Sequence, residues 1–401
     1  MHIAYLGPEI PALSATFVYR EILALRERGH KVTPFTVRPP AALATDVDLG
    51  VVDVLYGGAA QQLLGTATSF LTMPGQGLSI FVKALGDTIN GVGTSNKALG
   101  LPWQAAAGLR LATTLKAIGA DHLHVHFAHF PTQIAMYASD AAGLPFTVMG
   151  HANDLYENPL LLPQKAERSA GFTTISAHNV ELLVDMGVTQ EKLSVTRCGL
   201  PHLPETLPGQ RALQGPITIG SLGRLVEKKG MLDLIKAFSA LRASRSNLRL
   251  EIVGDGPQRS AMEVLIVEHG LEEDITLRGA LPNSEVLSWL DRLDLFVLAC
   301  RQDQNGDKDG IPVALMEAMM KGIPVVSSRL TGIPELILDR ETGYLSEPAH
   351  PESLAATIDL ALVNDTERKT IRKQALDHLH REFSMDVNMK RLETLFEGAR
   401  P

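Results

Sequence analysis

Two basic residues follow a glycine at the place where a strand pattern gives way to a helix pattern. In GSLGRLVEKKGMLDLIKAF, the strand pattern ends near Leu222 and the helix pattern begins after Gly230. Gly223 permits a close backbone approach, and a cation such as Lys229 is unfavourable near a helix N-terminus unless an anion compensates it. We therefore predict that Arg224 and Lys229, together with exposed amides, bind a diphosphate. A solvated charged turn is the alternative.

A second helix N-terminus with nearby polar residues is predicted in DQNGDKDGIPVALMEAMMKGIPVV. Pro312 suits the first turn of a helix, and Asp309 and Gly310 come just before it, so free amides would point at a phosphate or sugar oxygen. Glu317 lies in a helix that is apolar on nearly every side, where a carboxylate needs hydrogen-bond donors. The hydroxyls of a ribose would supply them. The alternative is a surface ion pair with Lys321, four residues further on.

The same segment also resembles the start of a calcium-binding EF-hand loop. Asn305, Asp307, Asp309 and Gly310 have the spacing of the first ligands of such a loop. The bidentate glutamate of the loop would fall at position 316, which is Met316. Because the register of the loop is strict, the sequence argues against calcium here.

Three histidines alternate along the strand pattern DHLHVHFAH. His122, His124 and His126 share one face of the strand, as metal ligands can. The strand has no obvious carboxylate or cysteine partner, so zinc stays the alternative and hydrogen bonding by these histidines is favoured.

The elements that must position these residues follow an alternating pattern. Short β-branched runs alternate with amphipathic stretches in two series, which predicts two tandem doubly wound α/β domains with parallel sheets. The proline-rich segment PHLPETLPGQRALQGP separates the two series. We predict domains at residues 1–200 and 201–382. Because such sheets bind ligands at the carboxyl ends of their strands, we expect the two domains to face each other across a cleft.

The bulk composition limits the class of protein. A net charge of -8 over 401 residues argues against binding to nucleic acid through phosphate contacts. The two cysteines, Cys198 and Cys300, match no metal or redox spacing, so we expect free thiols in a reducing compartment. The N-terminus lacks the pattern of a signal peptide, and no stretch reaches the roughly 18 uncharged apolar residues of a spanning helix. We expect a cytoplasmic protein, with contact at the inner face of the membrane left open.

The region 57–119 has a different composition from the rest. It is mildly apolar, rich in Gly, Ala, Thr and Ser, and helical in places. Ordinary core helices are the favoured interpretation. A flap on the acceptor side, or a surface that touches a membrane, is the alternative.

Taken together, the motifs GRLVEKKG, VGDGP and DGIPVALMEAMMKGIPVV resemble the donor site of glycosyltransferase family 4, the retaining GT-B enzymes. The amino-acid sequence of the last motif is similar to that found in the branch of the family that builds exopolysaccharide, capsule or colanic-acid-type repeats. This sequence departs from the family pattern at Asp309, where Glu is commoner, and at Pro312, where many members have Gly.

The resemblance implies roles for particular residues. Arg224 and Lys229 would bind the diphosphate, Glu317 the ribose, and Asp309 with the amides after it the transferred sugar. FTVMGHANDLY resembles the segment that supplies the active-site histidine, which places that role on His151. The implied catalytic set is His151, Arg224, Lys229 and Asp309. The implied donor-binding set is Gly223, Arg224, Lys229, Gly254, Leu281, Asp309, Gly310, Ile311, Pro312, Val313 and Glu317. The residues implied to lie near the nucleobase of the donor are Gly254, Gly256, Leu281 and Pro282. The implied acceptor side comprises Ser14, Thr16, His126 and Asp154.

The resemblance also implies an activity: transfer of a hexose, with retention of its anomeric configuration, from a nucleotide sugar to a glycan or polyprenyl-linked saccharide. UDP-glucose or UDP-galactose is the favoured donor and GDP-mannose the next. No metal cofactor is expected, because Arg224 and Lys229 would replace the cation, and the last helix, within 383–401, would pack on the first domain. A sugar-nucleotide epimerase, a pyridoxal-phosphate-dependent phosphorylase and a non-catalytic sugar-nucleotide-binding subunit stay open as alternatives.

Overall fold

The computed structural model describes residues 1–12, 15–40, 48–93, 95–157, 159–207, 213, 215–363 and 365–399. The chain forms two compact units. The first unit comprises Met1–Gly199 and Met385–Pro401, and the second unit comprises Leu200–Ser384.

The first unit is built on a seven-stranded parallel sheet in the order β3-β2-β1-β4-β5-β6-β7. Strands β1 to β7 are His2–Gly7, Lys31–Thr36, Asp53–Val54, His122–His126, Phe146–Gly150, Gly171–Thr174 and Leu193–Val195. Strands β1, β4, β5 and β6 are buried along their whole length, because helices cover both faces of the sheet. Helices α1 to α8 are Thr16–Glu27, Ala59–Thr72, Pro74–Val92, Leu101–Ile118, Phe130–Ala142, Asn153–Tyr156, Leu162–Arg168 and Ala177–Asp185.

The second unit is built on a six-stranded parallel sheet in the order β10-β9-β8-β11-β12-β13. Strands β8 to β13 are Ile217–Leu222, Leu248–Val253, Ile275–Gly279, Leu295–Leu298, Val325–Ser328 and Tyr344–Ser346. Helices α9 to α15 are Met231–Arg242, Arg259–Glu268, Asn283–Leu290, Val313–Met320, Ile333–Leu336, Pro351–Val363 and Asp365–His378.

The last helix, α16 (Met385–Gly398), belongs to the first unit. Its apolar face buries Met389, Leu392 and Phe396 in the same core cluster as residues of β1 and α1. Next to this packing, the Arg28 guanidinium lies 2.7 Å from a carboxylate oxygen of Glu393. The helix therefore completes the hydrophobic layer on one face of the first sheet.

The strand order confirms the predicted fold class of two doubly wound parallel α/β domains. In each sheet the order reverses beside the first strand, between β1 and β4 in the first unit and between β8 and β11 in the second. The loops that leave these neighbouring strands run to opposite faces of the sheet and open a crevice at the carboxyl ends, where such folds bind ligands. Among the residues that the structure describes, no helix combines the length and the apolar character needed to cross a membrane.

The region 57–119 forms two different kinds of helix. Helix α4 is largely buried, as ordinary core helices are, and packs against α5. Helices α2 and α3 leave many apolar side chains in solvent, and Leu64, Leu71 and Ile89 are 71%, 83% and 78% exposed. The surface that we call the α2–α3 apolar face comprises Leu63, Leu64, Phe70, Leu71, Leu78, Val82, Leu85, Ile89 and Val92.

Candidate active site

The loop after β8 is fixed against the end of β11 by a glycine. Residues Glu227–Lys229 form a short 3-10 turn, and Gly230 follows in the left-handed region, with φ of +67°. A Cβ at Gly230 would overlap the carbonyl group of Ala299, so only glycine allows this close approach. The turn therefore places two lysines beside the segment that follows β11.

Those two lysines form buried ion pairs with two aspartates. The Lys229 Nζ lies 2.7 Å from Oδ2 of Asp309, and the Lys228 Nζ lies 2.6 Å from Oδ2 of Asp307. Lys228 also lies 3.7 Å from the other oxygen of Asp309. The Cys300 thiol donates a hydrogen bond of 3.5 Å to Asp309. Two cations and two carboxylates thus meet at the point where the strand order of the second sheet reverses.

The charges at this point stabilise each other against the cost of burial. Burial alone would raise the pKa of Asp309, but the charges of Lys229 and Lys228 hold it below its usual value. Burial opposes the positive charge of Lys229, yet Asp309 raises the pKa of this lysine. Burial and then the Asp309 charge raise the pKa of Cys300 well above that of a free thiol. The lysine and the aspartate are therefore charged at neutral pH, while the thiol stays protonated.

The loops after β8 and β9 are in direct contact next to this cluster. Gly254 has φ of +139°, and a Cβ there would overlap the carbonyl oxygen of Gly223. The amide of Gly223 donates to the Val253 carbonyl at 3.1 Å. Arg224 is exposed, and no carboxylate of the described residues pairs with its guanidinium. The arginine that we predicted to bind an anion is therefore accessible.

Helix α12 begins beside the same cluster. Pro312 precedes the first helical residue, Val313, and Gly310 and Ile311 are buried. The Thr331 hydroxyl donates to the carbonyl oxygens of Asp309 and Gly310, which fixes the approach to the helix. The first amides of α12 have no intrahelical partner, so the helix N-terminus favours an anion here.

Glu317 is half-buried on α12, whose neighbouring residues Leu315, Met316, Ala318 and Met319 are buried. The Nζ of Lys321, the partner in our alternative interpretation, lies 2.9 Å from a carboxylate oxygen of Asp291. Glu317 therefore lies on the same short helix whose N-terminus adjoins Asp309, four residues after its first residue.

The residues predicted to lie near the nucleobase of the donor are found at or just after the ends of β9 and β10. The amide of Gly254 donates to the Gly279 carbonyl at 2.8 Å, which connects the end of β9 to the end of β10. Leu281 follows β10 and lines a hollow of about 490 Å³ with Trp289 and Arg292. Pro282 is exposed and precedes α11, and Gly256 contacts the backbone of Leu225. The second unit thus collects its predicted residues along the carboxyl edge of β10, β9, β8 and β11.

The first unit contains a different polar cluster at its own carboxyl edge. His126 Nδ1 lies 3.0 Å from His151 Nε2, and the Nε2 of His126 lies 2.9 Å from both the Tyr5 hydroxyl and Oε2 of Glu21. Tyr5 in turn donates a bond of 2.7 Å to Glu21. These four side chains, which we call the His126 network, are buried and link β1, α1, β4 and the end of β5.

Asp154 fixes the loops on which His151 stands. Its carboxylate accepts hydrogen bonds from the amides of Ala128, His151 and Ala152 at 2.7, 3.1 and 2.8 Å. Burial raises the pKa of Asp154, and these amide hydrogen bonds oppose that effect. The side-chain amide of Asn179 donates to the His151 carbonyl at 2.6 Å. Asp154 therefore positions His151 and does not reach out toward a ligand.

The ring of His151 is packed between aromatic groups. The centres of the Phe17 and Phe127 rings lie 4.7 and 4.6 Å from its own. Burial, followed by the neighbouring His126 and His129, lowers the pKa of His151 well below its ordinary value. The imidazole is therefore neutral at physiological pH, and can donate or accept one hydrogen bond without acting as a cation. Thr16 is the first residue of α1, and Ser14 lies outside the described residues.

The other two histidines of β4 bind a hydroxyl. His122 Nε2 and His124 Nδ1 each lie 2.8 Å from the Thr147 Oγ1 on β5. Within the described ranges of the chain, no group of three His, Cys, Asp or Glu side chains has an arrangement suited to a metal ion. Asp307 and Asp309, which we considered as calcium ligands, instead contact lysines.

Sequence reasoning missed several residues of these clusters. Lys228 was not distinguished from its neighbours, because the direction of a side chain in a 3-10 turn cannot be read from the sequence. Asp307 was considered only as a calcium ligand, and its ion pair with Lys228 was not predicted. Glu21 carried a usable signal: it lies on the same helical face as the apolar Val18 and Leu25, where a carboxylate must find a donor.

Comparison with known proteins gives one family match. Residues 205–378 match the sequence model of the family described as glycosyl transferases group 1. The chain is 34% identical over 215 residues to the amylovoran biosynthesis glycosyltransferase AmsK of Erwinia amylovora, a match that covers 54% of this chain and 53% of that protein. It is 35% identical over 217 residues to the putative colanic acid biosynthesis glycosyltransferase WcaL of Escherichia coli, with the same coverage of 54% and 53%. The chain thus spans about half the length of the curated relatives it matches.

A likeness in structure extends over nearly the whole chain. HepE of Anabaena, solved in complex with UDP, superposes with a TM-score of 0.73 at 15% sequence identity, covering 98% of this chain and 99% of HepE. At this identity the likeness concerns the fold, and it confirms the expected GT-B fold.

Proposed function

We propose that this chain, whose residues 205–378 form a glycosyl transferases group 1 domain, is a retaining glycosyltransferase of exopolysaccharide synthesis. It would transfer a hexose from a nucleotide sugar to a glycan or polyprenyl-linked acceptor. The observation that carries this proposal is the meeting of Arg224, the Lys229–Asp309 pair and the N-terminus of α12 at the reversal point of the second sheet. This combination provides two cations and free amides for one diphosphate.

The diphosphate is proposed to bind between the loop after β8 and the start of α12. Arg224 is exposed and supplies a planar guanidinium, which can bind phosphate oxygens in a bidentate manner. Lys229 is held in place by Asp309, and its three ammonium hydrogens allow a second contact beside that ion pair. The Lys229 charge is fixed before the ligand arrives, which is the condition for electrostatic stabilisation of a leaving group.

The nucleoside part of the donor is proposed to extend along the same edge. The Glu317 carboxylate would accept hydrogen bonds from the ribose, and the base would lie near Gly254 and Leu281. UDP-glucose or UDP-galactose is the favoured donor, and GDP-mannose the runner-up. The UDP complex of HepE, which shares the fold, supports the first choice.

The chemical step that we propose breaks the bond between the anomeric carbon and the diphosphate oxygen. The bonding electrons leave with the nucleoside diphosphate, whose growing charge Arg224 and Lys229 stabilise without a metal ion. The acceptor hydroxyl attacks from the same face, and its proton passes to an oxygen of the leaving diphosphate. The neutral His151 is proposed to bind a hydroxyl of the hexose and to take no part as a base.

The test is binding followed by product analysis. We expect UDP-glucose or UDP-galactose to raise the melting temperature of the full chain more than UDP alone or GDP-mannose does. Turnover should continue in excess chelator, and NMR coupling of the anomeric proton should show a retained linkage. An inverted linkage, or activity that vanishes in chelator and returns with magnesium or manganese, would overturn the mechanism. An isomerised donor without acceptor would indicate an epimerase, and binding without turnover a non-catalytic subunit.

We further propose that the protein contacts the inner face of the cell membrane through the α2–α3 apolar face. Along these two helices, Lys83 pairs with Asp140 and Asp87 pairs with Arg168, so each charged side chain of the described residues has a partner of opposite charge. A face of this kind lies readily in the boundary between lipid headgroups and acyl chains. In a flotation assay with anionic lipid vesicles, Leu71→Ser with Ile89→Ser should release the protein, and Val264→Ser, an exposed valine of α10, should not. Loss of a dimer in place of lipid binding would assign the face to a second copy.

A further inference from the structure

The first unit contains a cavity of about 610 Å³ beside the His126 network. Its floor is formed by residues that follow three strands of the first sheet, with Arg38 after β2, His129 after β4 and Asn153 after β5. Its opposite wall comes from the 3-10 turn Asn96–Gly100 and the start of α4, including Trp103. A cavity of this volume is in the ordinary range for small-molecule sites.

Three buried polar atoms around this cavity have no hydrogen-bond partner. They are the hydroxyl of Tyr56, Oε1 of Gln104 and Nδ1 of His129, and all three residues line the cavity. An unsatisfied buried polar group destabilises the fold, so three at one cavity indicate a polar occupant. Because a phenol donates and an amide oxygen accepts, the occupant should offer both donors and acceptors, as sugar hydroxyls do.

The ring of His129 is held so that it can serve as one of these partners. It stacks between Phe127 and Phe130, with ring centres 5.5 and 4.6 Å away. Burial lowers the pKa of His129 to about 3, and the positive charges of Lys165, Arg38 and Lys97 act in the same direction. The ring is therefore neutral, and the cavity around it has a positive potential.

That positive potential is not balanced by carboxylates. The lining of the cavity includes the cations Arg38 and Lys97 and no acidic residue. Neither cation forms an ion pair with a residue that the structure describes, although the whole chain has a net charge of -8. The Arg38 guanidinium lies 4.9 Å above the centre of the Phe130 ring, which orients it. The cavity is thus prepared for an anion.

The remaining wall suits the apolar face of a sugar ring. Trp103 is 42% exposed, and its ring centre lies 6.3 Å from that of Tyr56 at an angle of 48°. Aromatic side chains of this kind combine a rigid apolar face with a polar edge. The side-chain amides of Gln133 and Asn153 line the same cavity.

We propose that this cavity binds an acidic hexose of the acceptor, a sugar that bears a carboxylate or a phosphate group. The anionic group contacts Arg38 and Lys97, the ring lies on Trp103, and hydroxyls satisfy Tyr56, Gln104 and His129. This inference rests on the proposed function, since it names the class of acceptor that such an enzyme uses. It adds that charge on the acceptor, and not only its shape, determines which glycan is extended.

The test uses the full chain and titration calorimetry with four small probes. Methyl glucuronide and glucose 6-phosphate carry the two kinds of charge, methyl glucoside is the neutral control, and inorganic phosphate provides charge without a sugar. We expect at least one charged sugar to bind about tenfold or more tighter than methyl glucoside and than phosphate. The two charged probes distinguish a carboxylate from a phosphate as the natural group.

Variants locate the binding. Arg38→Gln and Lys97→Gln should each remove most of the preference for charge, while Lys116→Gln, an exposed lysine of α4, should leave it unchanged. Gln104→Leu should weaken the charged and the neutral sugars alike. UDP binding to the same variants reports on the fold and separates the two proposals: a chain that binds UDP-sugar but no charged sugar refutes only this inference. Equal binding of charged and neutral glycosides, or an unchanged preference in Arg38→Gln, would also overturn it.

Discussion

The two units share one topology at their centres and differ in the electrostatics of their carboxyl edges. At the reversal point of the first unit, two imidazoles, a phenol and the Glu21 carboxylate form the His126 network. In the second unit, the corresponding edge holds the Lys228–Asp307 and Lys229–Asp309 pairs. A common fold thus determines where a ligand binds, and the side chains at that place determine the chemistry.

The difference reflects two ways of burying polar groups. Burial lowers the pKa values of His122, His124 and His151 in the first unit, and each of these imidazoles has a hydrogen bond to a hydroxyl or to another imidazole. In the second unit, the Lys229–Asp309 ion pair raises the pKa of the lysine and lowers the pKa of the aspartate, so both groups stay charged. A neutral imidazole such as that of His151 suits contacts with sugar hydroxyls, whereas cations suit a diphosphate. Each of the following changes tests this division.

The largest effect is expected at the second unit's cations. Lys229→Ala and Arg224→Ala should each lower turnover by about a hundredfold or more, because each removes one preorganised charge at the leaving group. Lys229→Ala also removes the nearer of the two cations beside the Asp309 carboxylate, so it should lower the melting temperature as well.

The double variant Lys229→Ala/Asp309→Asn separates these two effects. It should recover stability without recovering turnover, and Lys236→Ala, an exposed lysine of α9, serves as the control. Near-normal activity of both single variants would remove the diphosphate assignment.

A smaller loss, of about tenfold to a hundredfold in turnover, is expected for His151→Ala. The neutral imidazole is proposed to contact the hexose and not the nucleotide, so kcat should fall much more than the affinity for the nucleoside diphosphate. His350→Ala, in which an exposed histidine is removed, should change neither quantity. Equal loss of turnover and nucleotide affinity would place His151 in the nucleotide pocket and break the proposed division of labour.

Glu317→Ala should weaken binding of the nucleoside diphosphate by roughly 1–3 kcal/mol, the scale of a lost charge-assisted hydrogen bond. Glu317 is half-buried and its helix is otherwise apolar, so the fold should tolerate alanine. Calorimetry of UDP binding measures the change, and Glu263→Ala on α10 is the matched control. Unchanged affinity would show that Glu317 has a structural role only.

The smallest effect concerns acid stability. Burial lowers the pKa of His122 to about 4, and burial lowers that of His124 further below its ordinary value. The unfolded chain therefore binds more protons than the folded first unit once the pH falls below about 6.5, and stability falls between that pH and about 4. In the second unit, the pKa of Asp309 is lowered, so protonation of this carboxylate reduces folding stability only at still lower pH.

Hydrogen exchange followed by mass spectrometry from pH 7 to 4 should therefore show the first unit opening before the second. In His122→Gln, the loss of unfolding free energy between pH 6.5 and 4.5 should shrink by about 1–2 kcal/mol. If both units open at the same pH, the difference in electrostatics between their carboxyl edges has no consequence for stability.

The sequence was sufficient to predict the alternation of strands and helices, and therefore to predict the two parallel sheets. The residues around Gly223, Arg224, Lys229 and Asp309 could be grouped because each follows a strand, and parallel strands end at the same edge. The partners of His126 could not be predicted in this way, because Tyr5 and Glu21 lie more than a hundred positions away along the chain. The region 57–119 stayed ambiguous because α3 and α4 have similar compositions. Only tertiary packing buries α4 and leaves much of α3 exposed.

The position of α16 has a consequence for synthesis on the ribosome. The side chains of Met389 and Phe396 complete the core beside β1 and α1, but they are translated after the whole of the second unit. The second unit is complete within Leu200–Ser384, whereas the first unit has one apolar layer uncovered until α16 packs on it. A chain released after Ser384 should therefore recruit chaperones to the first unit and not to the second, since exposed apolar surface is what chaperones bind.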